Sequence, residues 1–212
     1  MNLSIRALRP ATALVASGVL VSASLLFTNI AHAEPDQKSS ALTPPSVPAD
    51  IQVPPGNQAA FVGHAVGTQN YVCLPADDAF KFVLFTPQAT LVGDDDLQLT
   101  THYFSPNPAE GGTIRATWQD SRDSSTVLAR ATNSSSDPNF VAPGAIAWVL
   151  LQRVGSQAGP NGGDALTGTT FVQRLSTTGG VAPSTGCETS TDVGHQAFVP
   201  YTADYFFYTN TA

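Results

Sequence analysis

From about residue 58 onward, apolar and polar positions alternate with a period of two, in short runs separated by turn residues. A period of two sends successive side chains to opposite faces, so each run is expected to be a strand with one covered face. The runs fall at residues 59–66, 69–74, 80–86, 97–104, 113–119, 125–131, 169–176 and 198–208. In the fourth, Leu97, Leu99, Thr101 and Tyr103 share one face, while Gln98, Thr100 and His102 form the polar one. In the fifth, Ile114, Ala116 and Trp118 oppose Arg115 and Thr117. The last run is aromatic on both sides, with Tyr201, Tyr205 and Phe207 on one face and Phe206 and Tyr208 on the other. That is expected of a strand covered on both faces; the alternative is an exposed surface that stacks on sugar rings.

Residues 145–153 are a short apolar run, and Ile146, Trp148 and Val149 favour a buried strand over a helical turn. Gly93-Asp94-Asp95-Asp96 is a turn, and residues 133–139 and 155–168 read as loops. No repeat and no long helical pattern is evident. The expected fold is all-β: a single antiparallel β-sandwich or partly closed barrel with long loops.

The first 57 residues have a different character. Arg6 and Arg9 precede an apolar stretch from Ala11 to Ile30, and Ala31-His32-Ala33 follows. This is the layout of a signal peptide over residues 1–33, cleaved after Ala33, and it predicts a secreted or periplasmic protein. The alternative, a retained anchor, is weakened by Ser17, Gly18, Ser22, Ser24, Thr28 and Asn29. No membrane span is expected after cleavage. Residues 34–57 carry Pro44, Pro45, Pro48, Pro54 and Pro55 and read as a Pro-rich disordered leader. The β domain is then 58–212.

Composition supports an exported chain of turns and short strands. Only 12% of the residues are charged, against roughly 25% in ordinary globular proteins. The net charge is −7 and no basic run occurs, so nucleic acid is not an expected partner. The chain has two cysteines, Cys73 and Cys187. An even count beyond an export signal predicts a bridge between them. The alternative, a redox or nucleophilic thiol, lacks a C-x-x-C motif or an adjacent base.

Local catalytic motifs are absent: G-x-S-x-G, H-E-x-x-H and the P-loop pattern do not occur. His64, His102 and His195 form no pair at a ligand spacing, and no metal or cofactor is expected. A site built from His102, one carboxylate of the Asp94–Asp96 turn and a remote histidine is the metal arrangement suggested; the plainer reading is a surface histidine beside an acidic turn. Arg174 shares strand parity with Thr170 and Val172, so it can point inward, where it needs an anionic or carbonyl partner. Asp204 in the last strand is one candidate partner; a ligand carboxylate is another. His102, Arg174 and Asp204 are therefore the candidate ligand-binding residues. Asn133-Ser134-Ser135 is a glycosylation sequon, relevant in a eukaryotic source.

Several segments look familiar. They are Thr101 to Pro108, Arg115 to Asp123, Gln173 to Pro183 followed by Cys187, and Val199 to Tyr208. Together they resemble domain-of-unknown-function family 3455, secreted bacterial and fungal proteins whose fungal members include appressorium-linked ones. The family has Pro where Ala147 stands here, so a turn expected there is altered. The resemblance implies an exported domain and no reaction. Some fungal relatives carry a malate dehydrogenase label, but this chain has no G-x-G-x-x-G between a strand and a helix. The expected function is noncatalytic binding of a glycan, small molecule or surface partner. The alternative is a secreted hydrolase or lyase with a dispersed His/Arg/Asp site.

Overall fold

The computed structural model describes residues 42–211. The predicted signal peptide and the first part of the leader lie outside the described residues. Eight strands follow one another: β1 (Asn57–Ala76), β2 (Ala79–Val92), β3 (Gln98–Asn107), β4 (Thr113–Asp120), β5 (Thr126–Ser135), β6 (Trp148–Gln157), β7 (Phe171–Gly179) and β8 (Gln196–Asn210). Each is antiparallel to the next, and β8 returns to pair with β1 from Asn57↔Asn210 to Val72↔Gln196. The sheet therefore closes into an up-and-down barrel, which leaves no free edge strand. Of the two all-β architectures expected, the barrel is the one formed.

The two runs at 59–66 and 69–74 are one long strand, bulged near Ala59 and Asn70. Gly67 marks its closest approach to β2, where a Cβ would collide with the Gln88 carbonyl. β3 and β4 are joined by a tight connection in which Gly111 and Gly112 adopt positive φ, at 63° and 88°. Residues 145–153 contain the start of β6, as the β-branched and aromatic residues suggested.

The barrel interior is packed at one end and hollow at the other. At the packed end, Leu91, Val127, Leu166, Val172 and Phe207 fill the lumen, and Phe61 stacks on Phe207 with ring centroids 4.3 Å apart. Toward the other end the inward positions shrink to Ala116, Ala129 and Ala131, and space remains. The connection between β7 and β8 lies at the hollow end. It is fastened to β1 by the Cys73–Cys187 disulfide and by backbone bonds from Cys73 N–H to the His195 carbonyl and from Gly194 N–H to the Cys73 carbonyl.

A second apolar cluster lies outside the barrel wall. Trp148, Leu150, Leu175, Phe206 and Tyr208 face outward from β6, β7 and β8, and are covered by Leu42, Val47, Ile51 and Val53. Ile51 is 0% exposed, and its carbonyl accepts a hydrogen bond of 2.7 Å from the Gln173 side chain. The 42–57 part of the leader read as disordered thus holds a packed belt. Its prolines keep it extended, and its apolar side chains find a hydrophobic wall to lie on. From Tyr201 to Tyr208 the aromatic residues of β8 are buried on both faces, one set by the lumen and the other by this belt, whereas Phe198 is exposed.

Candidate functional site

The hollow end encloses a cavity of about 550 Å³, within the range of roughly 300–1,000 Å³ usual for small-molecule sites. His102, Trp118 and Tyr205 form its floor, above the packed residues. Leu84, Phe104, Val149 and Leu151 line its sides, with the small alanines of β4 and β5. Ile114, 55% exposed, stands where the cavity meets solvent.

The wall is incomplete on one side. β4 and β5 pair only over Ala116–Gln119 and Thr126–Ala129, and beyond Ala116 and Ala129 they diverge. Arg115 and Arg130 stand on the two sides of this slot. Arg115 is held by Glu110 through Nε and Nη2, at 2.7 and 2.8 Å. The guanidinium, with help from Asn107, lowers the Glu110 carboxyl to a pKa of about 2. Arg174 is the third cationic residue of the cavity. Its Nε and Nη2 both donate to the Ala147 carbonyl, at 3.2 and 2.8 Å, and no carboxylate pairs with it among the described residues. The Ala147 carbonyl is thus the arginine's anchor. No described residue lining the cavity is acidic; Arg174 faces the hollow, while Arg115 and Arg130, on the outer face at the slot, donate to Glu110 and Gln152.

His102 is 4% exposed and belongs to the lumen. This corrects its reading as a surface histidine: the polar face of β3 is the inner one. The ring stacks on Trp118 with centroids 4.3 Å apart and planes 6° from parallel. Its Nδ1 lies 2.9 Å from the Thr117 carbonyl oxygen, which can only accept, so Nδ1 carries the proton. Burial holds the imidazole neutral by lowering its pKa to about 3. The second nitrogen, Nε2, therefore offers a lone pair.

Further polar groups complete the interior. The hydroxyls of Tyr201 and Tyr205 are 3.3 Å apart, and burial pushes the Tyr201 hydroxyl to higher pKa. Gln69 is 2% exposed and lines the cavity, with its side-chain amide beside the Tyr201 hydroxyl.

Asp204 does not join this group. Arg174 pairs with Tyr205, which faces inward; Asp204 is one residue away and points out through the wall. Its carboxylate takes a hydrogen bond of 2.7 Å from His64 Nδ1, and Asp94 lies 3.0 Å from the other His64 nitrogen. The two carboxylates raise the His64 pKa. The suggested grouping of His102 with the Asp94–Asp96 turn is likewise not formed, because His102 is inside and Asp94 is bound to His64 outside. Among the described residues, no three His, Cys, Asp or Glu side chains are placed to hold a metal ion.

The sequence pointed to His102 and Arg174 and missed Arg115, Arg130 and Gln69 as companions. The β3–β4 hairpin carried a usable signal. A turn centred on Glu110 pairs His102 with Trp118 by symmetry, and that pair is the cavity floor.

No curated protein and no solved structure matches this chain. The family described as "Protein of unknown function (DUF3455)" matches residues 54–209, which is nearly the whole barrel. On the strength of that match, the chain belongs to the DUF3455 family.

Proposed function

We propose that the protein binds, without transforming it, a small molecule that has an apolar body and an anionic group such as a carboxylate. The observation that carries this reading is Arg174: a cation facing an apolar cavity, anchored only by a carbonyl, with no acidic residue on the described wall. A guanidinium in such surroundings gains from a carboxylate partner, because charge-assisted pairs are roughly twice as strong as neutral ones. Arg115 and Arg130 at the slot attract the same sign of charge, although Arg115 is already paired with Glu110. Closed eight-stranded barrels have room for one small ligand inside.

The alternative reading, a hydrolase or lyase with a dispersed site, fits less well. His102 and Arg174 share the cavity, but the acidic partner Asp204 faces outward. An imidazole with a pKa of about 3 is a poor base near neutrality, where efficient general bases are matched to the working pH. The disulfide suits an oxidising compartment, so we place the binding reaction outside the cytoplasm, in keeping with the predicted signal peptide.

Isothermal titration calorimetry with 2-naphthoate and its uncharged methyl ester tests the reading. The acid is expected to bind at least about tenfold more tightly than the ester, and Arg174→Gln to remove most of that difference. Equal binding of acid and ester to the unaltered protein refutes it.

A further inference from the structure

The floor of the cavity presents a hydrogen-bond acceptor that no described residue uses. His102 commits Nδ1–H to the Thr117 carbonyl, so its Nε2 is left as an acceptor. The ring is clamped between the Trp118 stack at 4.3 Å and Tyr205 at 5.2 Å, and turning it over would forfeit the Thr117 bond. No described residue donates to Nε2. That lone pair is reachable from the cavity, so it is met by water or by a donor on whatever the cavity holds, and a ligand that displaces the water without replacing its hydrogen bond loses affinity. Gln69 adds a buried amide in the same wall, beside the Tyr201 hydroxyl. A ligand with only an apolar body and an anion leaves the imidazole unanswered. A hydroxyl can donate to the imidazole and still accept a hydrogen bond.

Resting on the anion-binding reading above, we propose that the ligand is a hydroxylated carboxylic acid: its carboxylate meets Arg174 and its hydroxyl donates to His102 Nε2. Specificity then lies in the hydroxyl. Adding it to an already apolar acid costs little against a site that needs a donor, whereas omitting it leaves the imidazole unpaired.

The test compares 6-hydroxy-2-naphthoate, 2-naphthoate and 6-methoxy-2-naphthoate by calorimetry on the oxidised protein. The methoxy acid keeps the oxygen and removes the donor. The hydroxy acid is expected to bind about fivefold to tenfold more tightly than either of the others. In His102→Phe that ratio falls to near one, and in His102→Gln, which restores an acceptor, it recovers in part. The comparison in the unaltered protein needs no variant to fold. If the three acids bind equally and more tightly than the methyl ester, the hydroxyl inference fails and the anion-binding reading stands. If the acids bind no better than the ester, both fall.

Discussion

Replacing His102 by phenylalanine keeps a ring on Trp118 but removes the one group of the barrel interior whose charge state must change on acidification. In the folded protein the imidazole is neutral down to a pKa of about 3, whereas its ordinary value is 6.5. A folded-state pKa below the unfolded one means that the stabilisation is complete above about pH 6.5 and is lost as the pH falls toward 3. Within that window the unfolded chain binds one proton more, so each pH unit costs about 1.4 kcal/mol. The unligated wild type is therefore expected to lose roughly 1.4 kcal/mol between pH 7.5 and 5.5, and roughly 2.7 kcal/mol by pH 4.5. The carboxylates with lowered pKa, Glu110, Asp123 and Asp192, contribute slope mainly below that point. His64, whose pKa is raised, acts above 6.5. The variant loses the Thr117 hydrogen bond, a cost of about 1–2 kcal/mol, but has no such slope. The two stability curves should cross between about pH 5 and 6. Urea midpoints at half-unit steps from pH 7.5 to 4.5 measure both curves. A wild type that is flat below pH 6.5, or a variant that keeps the slope, refutes the placement of a neutral imidazole in the lumen.

Other perturbations have equally definite outcomes. Cys73→Ser with Cys187→Ser opens a covalent loop with a separation of 114 residues and should cost up to about 4–5 kcal/mol in urea unfolding on the chain-entropy estimate. Ile51→Ala removes the buried anchor of the belt and should cost about 2–5 kcal/mol. Trp148, covered by the same cluster, should then emit at longer wavelength. The His64–Asp204 contact raises a histidine pKa, so its contribution is complete below about pH 6.5 and fades as the pH rises through the raised value. Both partners are partly exposed, which limits the effect to a few tenths of a kcal/mol up to about 1. His64→Gln should abolish that fading, and proton-detected titration of His64 should show a midpoint above its ordinary value.

What could be read from the sequence depended on whether alternation alone was enough. It was for β8: aromatic residues at both parities required cover on both faces, and the lumen and the belt supply it. It was also enough to group Arg174 with Val172 on one face of β7, which the barrel turns inward. Alternation separates two faces without saying which is inward, and His102 shows the difference. The usual assumption places the polar face outside, but a barrel with a hollow end admits His102 to the lumen. Pairing Arg174 with Asp204 required the register between β7 and β8, and a shift of one residue sends a side chain through the wall. The belt escaped notice because its prolines dominate its composition. Its effect depends on Leu42, Val47, Ile51 and Val53 meeting an outer apolar wall formed by residues between Trp148 and Tyr208, far later in the chain.

The chain enters and leaves the barrel at the same place. Asn57 is paired with Asn210, and Thr211 N–H bonds the Gly56 carbonyl, at the packed end of the lumen. A support, dye or fusion partner joined beyond Thr211 therefore projects from the side remote from the slot and the three arginines. Immobilised by that end, the protein keeps the mouth of its cavity toward the solution.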